Sequence, residues 1–164
     1  MDLNHYRFRG GWRLAAPPAA VYAALQDVPG YPLWWPEIRS VRQFGPDDGE
    51  VVVRALLPYR LVIALAAVRR DPSAGVLEVA MRGDLVGWSR WTVEADGAGT
   101  RVRFEEDARP GRPLLRRLAL PLHPVFRANH AVMMYRGRRG LAAHLAAPHD
   151  RAVTSGDSPN RPAG

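Results

Sequence analysis

Two titratable side chains, Glu106 and His130, fall on surfaces that the sequence predicts to be apolar. Glu106 shares one face of a predicted strand with Val102 and Phe104, because alternate residues of a strand point to the same side. His130 lies in the apolar stripe of a predicted helix. In an enclosed apolar site, a carboxyl group or an imidazole can transfer a proton to or from a bound molecule. Both residues are therefore candidate catalytic groups. The alternatives are an ion pair with an arginine for Glu106 and a structural hydrogen bond in the core for His130.

The histidines and glycines of the chain do not predict a metal or cofactor site. His123, His130 and His144 have a heptad-like spacing, but seven residues of helix correspond to a rise of about 10 Å, which is too long for two ligands of one metal. The chain has no cysteine, which excludes thiolate ligands, disulfides and a cysteine nucleophile. The segment Gly83–Gly87 lacks the glycine spacing of a dinucleotide-binding loop. We therefore expect neither a metal nor a cofactor.

The middle of the chain has the period-two pattern of β-strands. Short connectors rich in Asp, Pro and Gly, at residues 46–49, 71–75 and 96–99, separate these strands and favour antiparallel neighbours. One further strand is predicted before the first helix. The seven predicted strands are Asn4–Leu14, Arg39–Phe44, Glu50–Leu57, Arg60–Arg70, Val76–Arg82, Gly87–Glu94 and Thr100–Asp107.

Two short helices are expected between the first and second strands. Pro17–Gln26 has an apolar face and a proline in its first turn, which is typical of an amphipathic helix. The segment Asp27–Ile38 contains three prolines, a glycine and the adjacent Trp34 and Trp35, and predicts a short bent helical elbow. The two tryptophans either plug the core or line the rim of a pocket. A long helix is predicted over Val125–Leu145.

This order of elements resembles the START-like, helix-grip (SRPBCC-type) superfamily, and within it the polyketide cyclase/dehydrase and lipid-transport branch. The resemblance implies an α+β fold, in which a seven-stranded curved antiparallel sheet wraps around the long C-terminal helix with an apolar cavity between them. The superfamily includes carriers, cyclases, quinone-binding proteins and hormone receptors, so the fold alone does not specify the function. The segments that carry the resemblance are Trp12–Pro17, Val21–Asp27, Tyr31–Pro36, Arg90–Glu94, Gly99–Glu105 and Asn129–Gly137.

The lining of such a cavity follows from the alternation of side chains along the strands and from the apolar stripe of the long helix. Aromatic residues with polar tips suit a pocket mouth, and methionines are adaptable lining residues. The predicted ligand-binding residues are Trp34, Trp35, Val53, Ala55, Tyr59, Val79, Met81, Trp91, Phe104, Phe126, Met133 and Met134.

The net charge of +7 resides in one part of the chain. Residues 108–149 contain eight arginines and no aspartate or glutamate. Arg112, Arg116 and Arg117 flank several leucines, a pattern that can contact anionic lipid headgroups transiently. The alternative is a solvated helix whose arginines pair with acidic residues of the strands. Because no recognition motif accompanies the charge, we expect no nucleic-acid partner.

The 164 residues suit one domain, which we place at residues 1–147 and expect to be followed by a disordered tail, 148–164. No signal peptide or membrane span is evident, so a cytoplasmic location is expected. The leading hypothesis is a carrier or binding module for a hydrophobic or aromatic small molecule that is polyketide-, lipid- or quinone-like. One alternative is a polyketide cyclase/dehydrase-type enzyme that uses Glu106 or His130 for proton transfer. A second alternative is a membrane-visiting quinone or lipid chaperone. The sequence does not specify an oligomeric state.

Overall fold

A computed structural model describes residues 5–56, 58–113 and 123–147. Within these ranges the chain forms one seven-stranded antiparallel sheet, two α-helices and a 3-10 helix, which confirms the predicted α+β helix-grip fold. Arg116, Arg117 and the predicted tail 148–164 lie outside the described residues, as does Leu57.

Strands β2 to β7 form a meander, and β1 pairs with β7, so that the strand order is β1-β7-β6-β5-β4-β3-β2. All of its neighbours are antiparallel, as the short turns predict. The strands are β1 (Tyr6–Leu14), β2 (Ile38–Gln43), β3 (Asp48–Val53), β4 (Leu61–Asp71), β5 (Val76–Gly83), β6 (Leu85–Asp96) and β7 (Gly99–Pro110).

Alternation along β7 sets the inner face of the sheet. Thr100, Val102 and Phe104 are buried, whereas Arg101 and Arg103 between them are exposed. The neighbouring strand β6 contains Gly87 at φ +155°, where an added Cβ would lie 1.9 Å from the carbonyl oxygen of Asp107. Only glycine permits this close approach of the two strands.

Helix α1 (Pro18–Gln26) and the 3-10 helix (Val28–Leu33) connect β1 to β2. They are the two short helices that the sequence predicts, and the 3-10 helix forms the first part of the proline-rich elbow. The long helix α2 spans His123–Ala146 and has Gly137 and Leu141 as its buried residues. It includes His123 and Pro124, which precede the predicted start, and extends one residue beyond the predicted end at Leu145.

Strand β3 ends at Val53, so the prediction that it continues to Leu57 is wrong. The Arg54 N–H donates to the carbonyl oxygen of Glu37 at 2.9 Å. The N–H of Leu56 then donates to Oδ1 of Asn129 on α2 at 2.9 Å. The chain therefore leaves the sheet toward the helix. Pro58 has no N–H and cannot donate a backbone hydrogen bond to a neighbouring strand.

Candidate functional site

A cavity of about 200 Å³ lies between the inner face of the sheet and α2. Its wall is almost entirely apolar and receives side chains from the elbow, from α2 and from all seven strands. Strand β2 contributes only its first residue, Ile38. Leu77, Met81 and Trp91 line it from β5 and β6, and Met133 and Met134 line it from α2. Such a wall excludes water from most of the space and favours an apolar occupant.

Glu106 and His130 meet at this wall. Glu106 projects from β7 and is opposite Phe8 on β1 and Ser89 on β6 in the strand pairing. The His130 ring from α2 stacks on Phe8 with a centroid distance of 3.7 Å and an interplanar angle of 11°. Its Nε2 lies 3.8 Å from Oε2 of Glu106, which is too long for a hydrogen bond. Among the described residues Nε2 of His130 has no hydrogen-bond partner, so it can interact with a molecule in the cavity.

The Tyr59 hydroxyl is a second buried polar group without a hydrogen-bond partner within the described ranges. Tyr59 lies in the β3–β4 connection, and its ring centroid is 6.4 Å from that of Phe126 on α2. Burial raises the pKa of the Tyr59 phenol to about 12, and the nearby Tyr6 makes a smaller contribution in the same direction. The phenol therefore remains protonated at neutral pH and can donate a hydrogen bond into the cavity.

The elbow closes one end of the cavity. The Trp35 indole lines the wall and donates from Nε1 to the carbonyl oxygen of Met133 at 3.0 Å. It packs on the helix at Gly137, where a Cβ would lie 2.6 Å from Cε2 of Trp35. Trp34 stacks behind Trp35 at 5.3 Å and is buried, and its carbonyl group packs against Gly140. Trp35 therefore seals the cavity from inside, whereas Trp34 is core behind it.

The structure brings most of the sequence-predicted site residues together, but it places two of them elsewhere. Trp34 lies outside the cavity wall, and Ala55 does too because β3 ends before it. The predicted residues that do line the cavity are Trp35, Val53, Tyr59, Val79, Met81, Trp91, Phe104, Glu106, Phe126, His130, Met133 and Met134.

Sequence reasoning missed Tyr6, Phe8 and Asn129 as lining residues. The alternation of β1 placed the two aromatic residues on one face, and this signal could have identified them. For Asn129 no local signal existed, because its role depends on the contact with Leu56 far away in the sequence.

Arg112, which the sequence singles out for membrane contact, forms an ion pair with Asp84. The carboxylate of Asp84 is buried, and its other oxygen accepts a hydrogen bond from the N–H of Val62 at 2.8 Å. Arg112 therefore has a structural partner at the β5–β6 turn, as the alternative interpretation expects. Its side chain is still 64% exposed, and membrane contact remains a prediction. Within the described ranges, no helix has both the length and the apolar character to cross a membrane.

Comparisons with known proteins agree with this architecture. Among solved structures, a protein from Thermus thermophilus has a TM-score of 0.70 and 18% identity, covering 85% of this chain and 97% of that one. The Zhui aromatase/cyclase from Streptomyces sp. R1128 has a TM-score of 0.70 and 14% identity, covering 86% and 93%. A START superfamily protein from Mycobacterium smegmatis has a TM-score of 0.66 and 14% identity, covering 85% and 96%. At these identities the likeness shows the fold.

A search of curated proteins found no match. In contrast, the sequence profile of the family described as polyketide cyclase / dehydrase and lipid transport matches residues 8–145, which include every strand of the sheet except two residues at its start and almost all of α2. The chain belongs to the polyketide cyclase / dehydrase and lipid transport family.

Proposed function

We propose that the protein binds a compact hydrophobic or aromatic small molecule in the cavity between the sheet and α2, as a carrier or binding module. The observation that carries this proposal is the apolar wall, interrupted by a few half-buried polar side chains that include Tyr59, Glu106 and His130. Burial of apolar surface supplies the affinity in such a site, and a few polar groups orient the ligand.

The size of the cavity restricts the ligand. Its volume is about 200 Å³. An apolar protein cavity of about 150 Å³ binds benzene, whereas pockets for drug-sized ligands are about 300–1,000 Å³. A molecule with one or two fused rings fits this space better than an extended acyl chain. Among the ligand classes expected from the sequence, a polyketide-derived ring or a quinone-like ring is therefore favoured over a lipid.

The binding test compares two variants of adjacent residues in β3. Val53 lines the cavity, whereas Val52 next to it does not. We expect Val53→Trp to fill the space and abolish binding of an apolar fluorescent probe, and Val52→Trp to bind it as the wild type does. Circular dichroism and thermal melts establish that both variants are folded. Native mass spectrometry of the purified wild-type protein then tests for a co-purified small molecule.

Equal probe binding by both variants would place the ligand outside the cavity and contradict the proposal. A cavity that binds no probe in the wild-type protein would contradict it as well.

A second candidate function is that of a cyclase/dehydrase-type enzyme, and the approach of His130 to Glu106 favours it. In this reaction Nε2 of His130 takes a proton from a carbon between two carbonyl groups of a bound polyketone. The resulting carbanion forms a carbon–carbon bond with another carbonyl of the same molecule, whose oxygen then receives the proton. Glu106 stabilises the imidazolium that forms transiently, and the apolar wall holds the chain in a reactive conformation.

The enzyme hypothesis predicts a separation of binding from turnover. His130→Gln is expected to retain a polyketone analogue in the cavity but to lose about 100-fold or more in cyclisation rate, because general base catalysis contributes about that factor. An unchanged cyclisation rate in His130→Gln would contradict the enzyme hypothesis. So would a wild-type protein that does not convert the polyketone, and the carrier function would then be the remaining proposal.

A further inference from the structure

We propose that Glu106 is a charge-selecting residue, which admits neutral ligands with a hydrogen-bond-donating group to the cavity and excludes anionic ones. This inference rests on the proposed binding function and specifies the class of ligand. It concerns which molecules can occupy the cavity, and it holds whether or not a reaction follows.

The wall carries an acidic side chain but no arginine in the described ranges. Within residues 5–56, 58–113 and 123–147, Glu106 is the acidic residue of the lining, and no arginine contributes to it. The Glu106 side chain is 12% exposed. Its nearest basic group in the described ranges is the His130 imidazole at 3.8 Å, which is too far away to donate a hydrogen bond to it.

The neighbours of Glu106 on β7 show that this lack of pairing is specific to the inner face. Glu105 points outward and lies 3.6 Å from Nε of Arg9 and 3.8 Å from Nη1 of Arg90. Asp107 accepts hydrogen bonds from His5 and from Arg7. The acidic residues of the outer face thus have arginine partners, whereas Glu106 lines the cavity and has no arginine partner among the described residues.

A partly buried carboxylate without an arginine partner repels a second anion strongly. Two like charges about 5 Å apart in an environment of intermediate dielectric constant weaken binding by a factor on the order of 100. A ligand carboxylate or phosphate would also lose its hydration and find no arginine in the described wall. Anionic ligands are therefore excluded by charge.

A hydroxyl group on an apolar ring system has the opposite effect. It can donate a hydrogen bond to Glu106 and accept one from the Tyr59 phenol or from an Nε2-protonated His130. The hydroxyl of Tyr59 and Nε2 of His130 are the buried atoms at this wall that have no partner among the described residues. One neutral hydroxyl group on the ligand can thus donate a hydrogen bond to Glu106 and accept one from Tyr59 or His130 at the same time.

Equilibrium dialysis at neutral pH with 2-naphthol, naphthalene and 2-naphthoate tests the inference, because the three probes share the same rings. We expect the wild-type protein to bind 2-naphthol most tightly, naphthalene more weakly, and 2-naphthoate about 100-fold more weakly than 2-naphthol. Glu106→Gln removes the charge with little change in shape. It is expected to reduce the preference for naphthol over naphthoate by about 10-fold or more.

Glu105→Gln is the matched control, since it removes the same charge one residue away on the outer face. It is expected to change the preference by less than about twofold, because exposed ion pairs contribute little. Naphthalene binding without discrimination against naphthoate would overturn the charge selection but leave the binding function intact. So would an equal change of preference in both variants. Failure of all three probes to bind would overturn the binding function and the charge selection with it.

Discussion

The contact between Gly137 and Trp35 predicts that adding a single methyl group to α2 destabilises the protein. In Gly137→Ala the new Cβ would lie 2.6 Å from Cε2, 2.8 Å from Nε1 and 3.0 Å from Cζ2 of Trp35. The indole cannot move away easily, because it is 4% exposed, stacks on Trp34 and donates a hydrogen bond to Met133. Either the ring or the helix must therefore shift.

Two opposing terms determine the size of the effect. Alanine is favoured over glycine in a helix interior by about 1 kcal/mol. Overpacking of a rigid core site costs about 1–3 kcal/mol, and contact with a buried ring places this site at the upper end. We therefore expect Gly137→Ala to lower the free energy of unfolding by about 2 kcal/mol, which corresponds to a decrease in Tm of about 4–8 °C for a domain of this size.

A double-mutant cycle with Trp35→Phe isolates the contact. The smaller phenylalanine ring leaves space for the methyl group, so in that background Gly137→Ala is expected to be neutral or to stabilise by about 1 kcal/mol. Urea denaturation of the four proteins measures the coupling. If the substitution stabilised the wild-type background, or cost the same in both backgrounds, the packing of Trp35 on Gly137 would not be as described.

Three further predictions concern groups around the cavity and on the outer face. Tyr59→Phe removes a buried hydroxyl that has no partner among the described residues, so urea denaturation should show an unchanged or slightly higher stability, within about 1 kcal/mol, while 2-naphthol binding weakens. Asp107 has its pKa lowered by a hydrogen bond from His5, and its contribution to stability is present above about pH 4 and lost as the pH falls through the lower folded-state pKa. Asp107→Asn should therefore flatten the loss of stability below about pH 4 in acid titrations followed by circular dichroism. Asn129→Ala removes the acceptor for Leu56 and should accelerate probe release about 5-fold in stopped-flow experiments, since one hydrogen bond is worth about 1 kcal/mol.

The sequence predicted the strands, the elbow and most of the cavity wall because each depends on a local pattern. The alternation along β7 put Phe104 and Glu106 on the inner face, and helical periodicity put His130 opposite them. Prediction failed where the chain changed direction for a distant reason. Ala55 lies outside the wall because Leu56 bonds to Asn129, and nothing near residue 55 signals that contact.

Paired charges were equally difficult to predict. The buried Glu37 lies 3.2 Å from Nη1 of Arg136, and Asp84 pairs with Arg112. Each pair joins elements that are far apart in sequence, and the identity of an arginine's partner depends on the tertiary fold. The two tryptophans show the same limit, since adjacent residues of one type have different roles, with Trp35 in the cavity wall and Trp34 behind it.

The two halves of α2 are held in place differently, and this asymmetry indicates where a ligand enters the cavity. The C-terminal half contains both buried residues of the helix, Gly137 and Leu141, and packs on the elbow. Arg136 adds the ion pair with Glu37. The half before Gly137 has no buried residue. It is attached by the hydrogen bond from Trp35 to Met133 and by the stacking of His130 on Phe8, and Asn129 holds the β3–β4 connection through one hydrogen bond. Segments with less burial open at lower free energy. Opening at the elbow would disrupt buried core, so ligand exchange is expected at the β3–β4 connection, beside Tyr59 of the cavity wall.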